Sequence, residues 1–133
     1  MNLLDFFKRD RFATHIGAEL IDIKEGYAKA RMKISTRHLN GGDNCQGGAL
    51  FTLADLAFAG AVNSHGTFTV STTSTITYVR PVSEGWVYAE ATELVDHRRM
   101  PYAEVKITDE QGRLIAVFTS SGYRKEGIRL EDM

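Results

Sequence analysis

The stretch QGGALFTLADLAFAGAVNS, Gln46 to Ser64, is almost entirely small or apolar, yet Asp55 sits in its middle. At about eighteen residues it exceeds an ordinary strand and reads as a helix that begins near its two glycines, with Asn44 or Cys45 close to the start. Its apolar residues fall on nearly every side, so such a helix has little wet face and needs enclosure.

The flanking segments can supply that enclosure. TFTVSTTSTITYVRP (67–81) is a long β-branched strand stopped by Pro81. Further strands fit at 86–95 (extending at most to His97), 102–108 and 114–123, with DEQG at 109–112 as a hairpin turn. Upstream, IGAELIDIKEGYAKARMKIS (16–35) alternates on both sides of Glu25-Gly26, which makes a hairpin. Leu3, Leu4, Phe6 and Phe7 recur near helical spacing, giving a short amphipathic helix, and RHLNGGDNCQ (37–46) is an irregular connection. The tail RKEGIRLEDM (124–133) has little reason to pack. Consecutive strands without long crossovers must run antiparallel, so the expectation is an α+β domain in which one curved antiparallel sheet wraps the long helix.

A chain of 133 residues without a linker or repeat is sized for one domain spanning 1–133. Sixteen basic residues against seventeen acidic ones give no net attraction for nucleic acid or anionic lipid. No run reaches the roughly 20 apolar residues of a membrane span, and the opening MNLLDFFKRDRF lacks the features of a secretory signal. Cys45 is the only cysteine, which excludes an intrachain disulfide. These features together point to a cytoplasmic protein with no nucleic-acid or membrane partner.

On a helix starting near Gly47, Asp55 lies about two turns in, too far along to cap it. Phe51, Thr52, Phe58 and Ala59 neighbour it at helical spacing, so the carboxylate loses part of its hydration there. Two readings stand: an interface or cavity-edge group bonded to Arg, Ser or Thr, or a base or nucleophile in a partly dry cleft. Gly47 and Gly48 would expose backbone N–H groups at the positive end of the helix dipole, suited to a developing negative charge, although such glycines also simply relieve a tight junction. About 12 Å of helix axis separates the two features, so they need not serve one site.

His15, His38, His65 and His97 are widely spaced and form neither HExxH nor a compact histidine-carboxylate motif, so no metal is expected. There is no Gly-x-Ser-x-Gly elbow, and no motif pairs Cys45 with a histidine.

The block HLNGGDNCQGGALFTLADLAFAGAVNS (38–64), with STITYVRP (74–81) and LIAVFTSSGYRK (114–125), closely resembles the hotdog-fold thioesterases of the phenylacetic-acid-degradation (PaaI-like) type, over roughly residues 10–125. The resemblance implies a hotdog fold that hydrolyses acyl-CoA thioesters without a cofactor, CoA being part of the substrate. It also implies a homodimer formed by side-to-side sheet extension, often a homotetramer, with active sites at the dimer interface. The family's acidic residue matches Asp55, and the glycine N–H that polarises the thioester carbonyl matches Gly47, the two coming from opposite subunits. Asn40 matches the loop residue that helps place water or substrate, and Ser71 or Thr73 the polar strand position near the carboxylate. Many relatives have histidine where this chain has Gln46, which cannot titrate near neutrality; other subgroups use glutamine in this region. CoA phosphates require basic contacts, for which Arg80, Arg98, Arg99, Arg124 and Lys125 are the candidates. Two further alternatives are an acyl-CoA-binding protein without catalysis and a dehydratase acting on a hydroxyacyl thioester.

Overall fold

A computed structural model of the chain describes residues 2–133. Two short helices, α1 (Leu3–Phe7) and α2 (Arg11–His15), precede a hairpin of β1 (Glu19–Lys24) and β2 (Tyr27–Ile34). Helix α3 (Gly47–Val62) follows, then β3 (Thr67–Tyr78), β4 (Gly85–Val95), β5 (Tyr102–Thr108) and β6 (Leu114–Arg129). The strands form one six-stranded sheet in the order β1-β2-β4-β5-β6-β3, with every neighbouring pair antiparallel. The sheet curves around α3, as the apolar helix and its β-rich flanks led us to expect, and this is the hotdog architecture that the resemblance implies.

The alternation along β2 accounts for this arrangement. Ala28, Ala30, Met32 and Ile34 all point inward and are buried, and Ala28, Ala30 and Met32 stand opposite Ala91, Ala89 and Val87 of β4. This floor of small side chains lets the helix settle close to the sheet. At Gly60 a side chain would meet Ala28 Cβ at 2.9 Å and Leu20 Cδ2 at 3.0 Å. On the other flank Phe118 of β6 is fully buried and takes Phe51 edge-on, with ring centroids 5.3 Å apart. The hairpin turn falls at Glu25-Gly26 as expected, Gly26 taking the left-handed conformation (φ 71°) that a side chain disfavours.

The short helix expected at the N-terminus is α1, and a second, α2, follows it, capped by Asp10, which accepts from Ala13 N–H at 3.0 Å. The long helix starts at Gly47 with Gln46 as its N-cap, one residue after Cys45, whose N–H donates to Val82 O at 2.7 Å. One expectation needs correction. The tail packs: β6 runs to Arg129, which pairs with Thr67, and Leu130 is buried with its N–H on Gly66 O at 3.0 Å. Charge density at 124–133 concealed this, since a single apolar anchor makes no periodic signal.

Strand β3 lies at the sheet edge, so one row of its backbone groups has no partner strand among the described residues. No helix among the described residues is long and apolar enough to cross a membrane.

Candidate active site at the start of the central helix

Four N–H groups open an α-helix without intrahelical partners, and each must be satisfied in some other way. At α3, Gly48 N–H donates to Gln46 Oε1 at 2.5 Å, and Ala49 and Leu50 N–H donate to Gln46 O at 3.0 and 3.4 Å. Gly47 N–H alone has no acceptor among the described residues. An unpaired donor at the positive end of a sixteen-residue helix is suited to an anionic oxygen. Gln46 thus spends its carbonyl oxygen on capping and keeps only its amide N–H₂ for anything else.

Glycine at 47 leaves room for Tyr78. A Cβ there would lie 2.8 Å from the Tyr78 ring, whose hydroxyl donates to Gly47 O at 2.8 Å. Tyr78 comes from the end of β3 and clamps the first turn; no feature of the sequence signals that pairing.

Beside this turn lies an open pocket of about 330 Å³, walled by Phe12 of α2 and Ile16 just after it, by Arg37, His38 and Leu39, and by Gln46, Gly48 and Ala49 of the helix start. Its size and mostly apolar walls suit part of an organic ligand. A larger open depression of about 650 Å³ lies between the turns at 81–85 and 109–113. Two of its acidic groups are committed within the fold: Asp109 accepts from Arg113 Nε at 2.7 Å and Glu110 from Trp86 N–H at 2.6 Å. The smaller pocket is the one lined by the residues on either side of the free donor, Gln46 and Gly48.

Asp55 is half-buried and accepts no hydrogen bond among the described residues. Burial holds its carboxyl above the ordinary carboxylate range, and repulsion from the Asp10 carboxylate adds to the effect. The group is therefore partly deprived of water, as anticipated for a carboxylate on this helix. Asp10 was not anticipated, although an aspartate three residues before Ala13 is a recognisable cap.

The remaining anticipated residues fall into separate groups. Asn40 Oδ1 closes its own loop, accepting from Gly42 and Asn44 N–H at 2.8 and 3.2 Å. Ser71 and Thr73 are exposed on β3 and flank a bulge, where Thr72 bonds Ser121 Oγ at 2.9 Å; neither Ser71 nor Thr73 bonds Asp55. Arg99, Arg124 and Lys125 line one open pocket of about 270 Å³, with Arg98 adjoining through its pair with Glu126 at 3.0 Å. Arg80 is exposed elsewhere, at the end of β3. Arg124 turns inward, pairing with Asp96 at 2.9 Å and lying 3.6 Å from the buried Glu93.

That inward pair belongs to a cluster invisible in the sequence, where His65 Nε2 meets Glu93 Oε1 at 2.8 Å and Asp96 Oδ1 at 3.7 Å. The donor set could hold a divalent ion, but the Arg124 guanidinium already supplies positive charge between the two carboxylates. The cluster fits a salt-bridge network better than a metal centre. Burial pushes the Cys45 thiol up to about 11, away from nucleophilic use.

The Thioesterase superfamily profile matches residues 42–116, which contain α3 and the strands up to β6. The acyl-coenzyme A thioesterase PaaI of Escherichia coli is 34% identical over 123 residues, covering 91% of this chain and 87% of that protein. The chain belongs to the PaaI family of hotdog-fold thioesterases. The solved E. coli PaaI structure superposes with a TM-score of 0.86 at 29% identity, covering 96% of this chain and 99% of its own. A variant of the Thermus thermophilus PaaI protein gives 0.83 at 32% identity, covering 87% and 100%. Membership of the PaaI family makes the chain a thioester hydrolase.

Proposed function

We propose that the chain hydrolyses an acyl-CoA thioester, with Gly47 N–H stabilising the oxyanion and Asp55 of a second copy acting on the opposite side of the carbonyl. The observation that carries this is the single unpaired N–H of the α3 first turn, at Gly47, whose chain neighbours Gln46 and Gly48 line a largely apolar pocket. Two copies are needed for reasons of length. Gly47 and Asp55 lie about 12 Å apart along one helix, whereas reacting groups must approach to about 3 Å. The unpaired edge of β3 offers the means: a second copy pairing there extends the sheet and brings two helices face to face.

In the hydrolytic step water adds its oxygen to the carbonyl carbon and passes a proton to Asp55. The oxyanion formed at Gly47 then collapses, the carbon–sulfur bond breaks, and the CoA thiolate takes up the proton. Alternatively Asp55 attacks the carbonyl carbon first and the carbon–sulfur bond breaks, releasing CoA thiolate and leaving a mixed anhydride; water then opens the anhydride to the free acid and the Asp55 carboxylate, its proton going to the thiolate. Gln46, through its free amide, and Asn40 hold water or substrate, and Ser71 or Thr73 of β3 orients the carboxylate. Arg80, Arg98, Arg99, Arg124 and Lys125 are the phosphate contacts proposed for CoA; among them Arg80, Arg99 and Lys125 present the most available charge, since Arg98 and Arg124 are paired within the chain. A tetramer of two such dimers is the assembly proposed.

The test is release of free CoA from a panel of aryl, short-chain and medium-chain acyl-CoAs, followed with a thiol reagent. Turnover supports the proposal, whereas saturable binding without turnover would favour a non-catalytic acyl-CoA-binding protein. The pH profile supplies a further check. A base must be ionised, so activity falls as pH drops through the raised Asp55 pKa. Asp10→Asn removes the repulsion while keeping a good N-cap, so the acidic limb should move to lower pH with thermal stability nearly unchanged. An unmoved limb would show that Asp10 does not act on the catalytic carboxylate.

A further inference from the structure

We infer that His38 is a positioning residue for the Gly47 N–H, a role that rests on Gly47 being the oxyanion donor. His38 ends the short 3₁₀ turn Thr36–His38 and is only 5% exposed, yet both ring nitrogens are engaged. Ser35 N–H donates to Nδ1 at 2.9 Å, so Nδ1 is the acceptor and the proton resides on Nε2. Nε2–H then donates to Ile16 O at 2.7 Å, just after α2. Two polar contacts of opposite sense lock the imidazole in one orientation.

What the locked residue holds is the approach to the helix. His38 O accepts Gln46 N–H at 2.7 Å. The next peptide unit, planar and trans, carries Gln46 C=O on one side and Gly47 N–H on the other. Its carbonyl is fixed by Ala49 N–H at 3.0 Å, and the residue before it is fixed by His38. The direction of Gly47 N–H therefore depends on His38 together with the anchors on either side, Cys45 N–H on Val82 O before it and the Tyr78 hydroxyl on Gly47 O after it. The Gln46 side chain cannot replace the His38 anchor, because its oxygen is spent on Gly48 N–H. Loss of the imidazole would remove both contacts of the buried ring, to Ile16 O and to Ser35 N–H, so the 35–38 turn would lose its tie to the segment after α2 and could shift, carrying Gln46 with it. An oxyanion donor acts only where its N–H meets the oxygen, so a displacement of a fraction of an ångström reduces the rate without removing the pocket.

The variants separate the two contacts. His38→Gln places an amide N–H near Nε2, able to reach Ile16 O, whereas His38→Asn places an oxygen near Nδ1, able to accept from Ser35 N–H; His38→Leu does neither. The expected result is that His38→Leu lowers kcat about tenfold, with KM and the affinity for a non-hydrolysable thioether analogue of the substrate within about twofold. His38→Gln and His38→Asn should recover part of kcat. In parallel, the Gly47 amide resonance in ¹⁵N-labelled protein should shift in His38→Leu and move back toward the native position in the other two. If His38→Leu does not fold, the two amide variants still decide: kcat and a Gly47 resonance both at native values in each would overturn the inference. So would a folded His38→Leu protein with native kcat, or with an unmoved Gly47 resonance. Should the native protein turn over no acyl-CoA at all, the catalytic assignment of Gly47 fails, whereas the resonance still reports whether His38 positions it.

Discussion

Asp55→Asn is expected to lower kcat on a responsive acyl-CoA by about a hundred- to ten-thousand-fold while leaving KM close to native. Asparagine has nearly the same shape and can still donate and accept hydrogen bonds, so substrate contacts and packing against Phe51 and Phe58 persist. It can neither take a proton from water nor attack a carbonyl carbon, so both proposed routes fail with it. Equal kcat in the native protein and Asp55→Asn would remove the carboxylate from the chemistry and return it to the role of an interface group.

The same substitution carries a stability signature of opposite sign, which separates catalysis from structure. Asp55 has a folded-state pKa above the ordinary value. The folded state therefore binds the proton more tightly than the unfolded state, and stability falls as pH rises from the ordinary carboxylate pKa through the raised one. Above that window the ionised group is a net cost to the fold, since no hydrogen bond among the described residues offsets its lost hydration. Asp55→Asn should accordingly melt at the same or a higher temperature than the native protein at neutral pH, with the difference shrinking below the ordinary carboxylate range. A group that weakens the fold and is kept in its driest element is better explained by function than by packing. A marked fall in melting temperature would instead indicate a partner that holds Asp55 in the assembled protein.

How far the residues themselves disclosed this arrangement depends on the range of the interactions involved. The helix at 47–62 and the hairpin at Gly26 were readable because apolar period and turn chemistry are local properties. Asp55 was conspicuous for the same reason, as a charge inside an apolar period. Strand order was not readable. The β3 and β4 segments are consecutive in the chain, yet β3 pairs with β6 while β4 pairs with β2, a choice made by how the sheet closes around α3. Tyr78 over Gly47, Asp10 near Asp55 and the His65–Glu93–Arg124 cluster are long-range meetings of the same kind. Histidines scattered through the sequence carried no sign that one would be locked beneath the helix start and another set against two carboxylates.

Gly60→Val is expected to cost about 3 kcal/mol of folding stability, a large fraction of the 5–15 kcal/mol typical of a domain. Glycine inside a helix is normally a weakness, and alanine there would gain up to about 1 kcal/mol from propensity alone. Here the gain is opposed by geometry, because a Cβ would stand 2.9 Å from Ala28 Cβ and 3.0 and 3.2 Å from the two Leu20 methyl carbons. Leu20 can rotate, but Ala28 has no rotamer to change, and its strand is held on both sides, facing Ile23 of β1 and Ala91 of β4. The helix must therefore lift from the sheet. Valine adds two methyl groups and a restricted χ1 to the same collision. Urea unfolding of Gly60→Ala, Gly60→Val and each combined with Ala28→Gly measures the effect; the second substitution should return part of the loss, giving a coupling energy of about 1 kcal/mol or more. Gly60→Val within about 0.5 kcal/mol of native would show that the helix can lift from Ala28 at little cost. Because α3 carries Gly47 at one end and Asp55 at its middle, a helix forced off its floor should also lose thioesterase activity at temperatures where the protein remains folded.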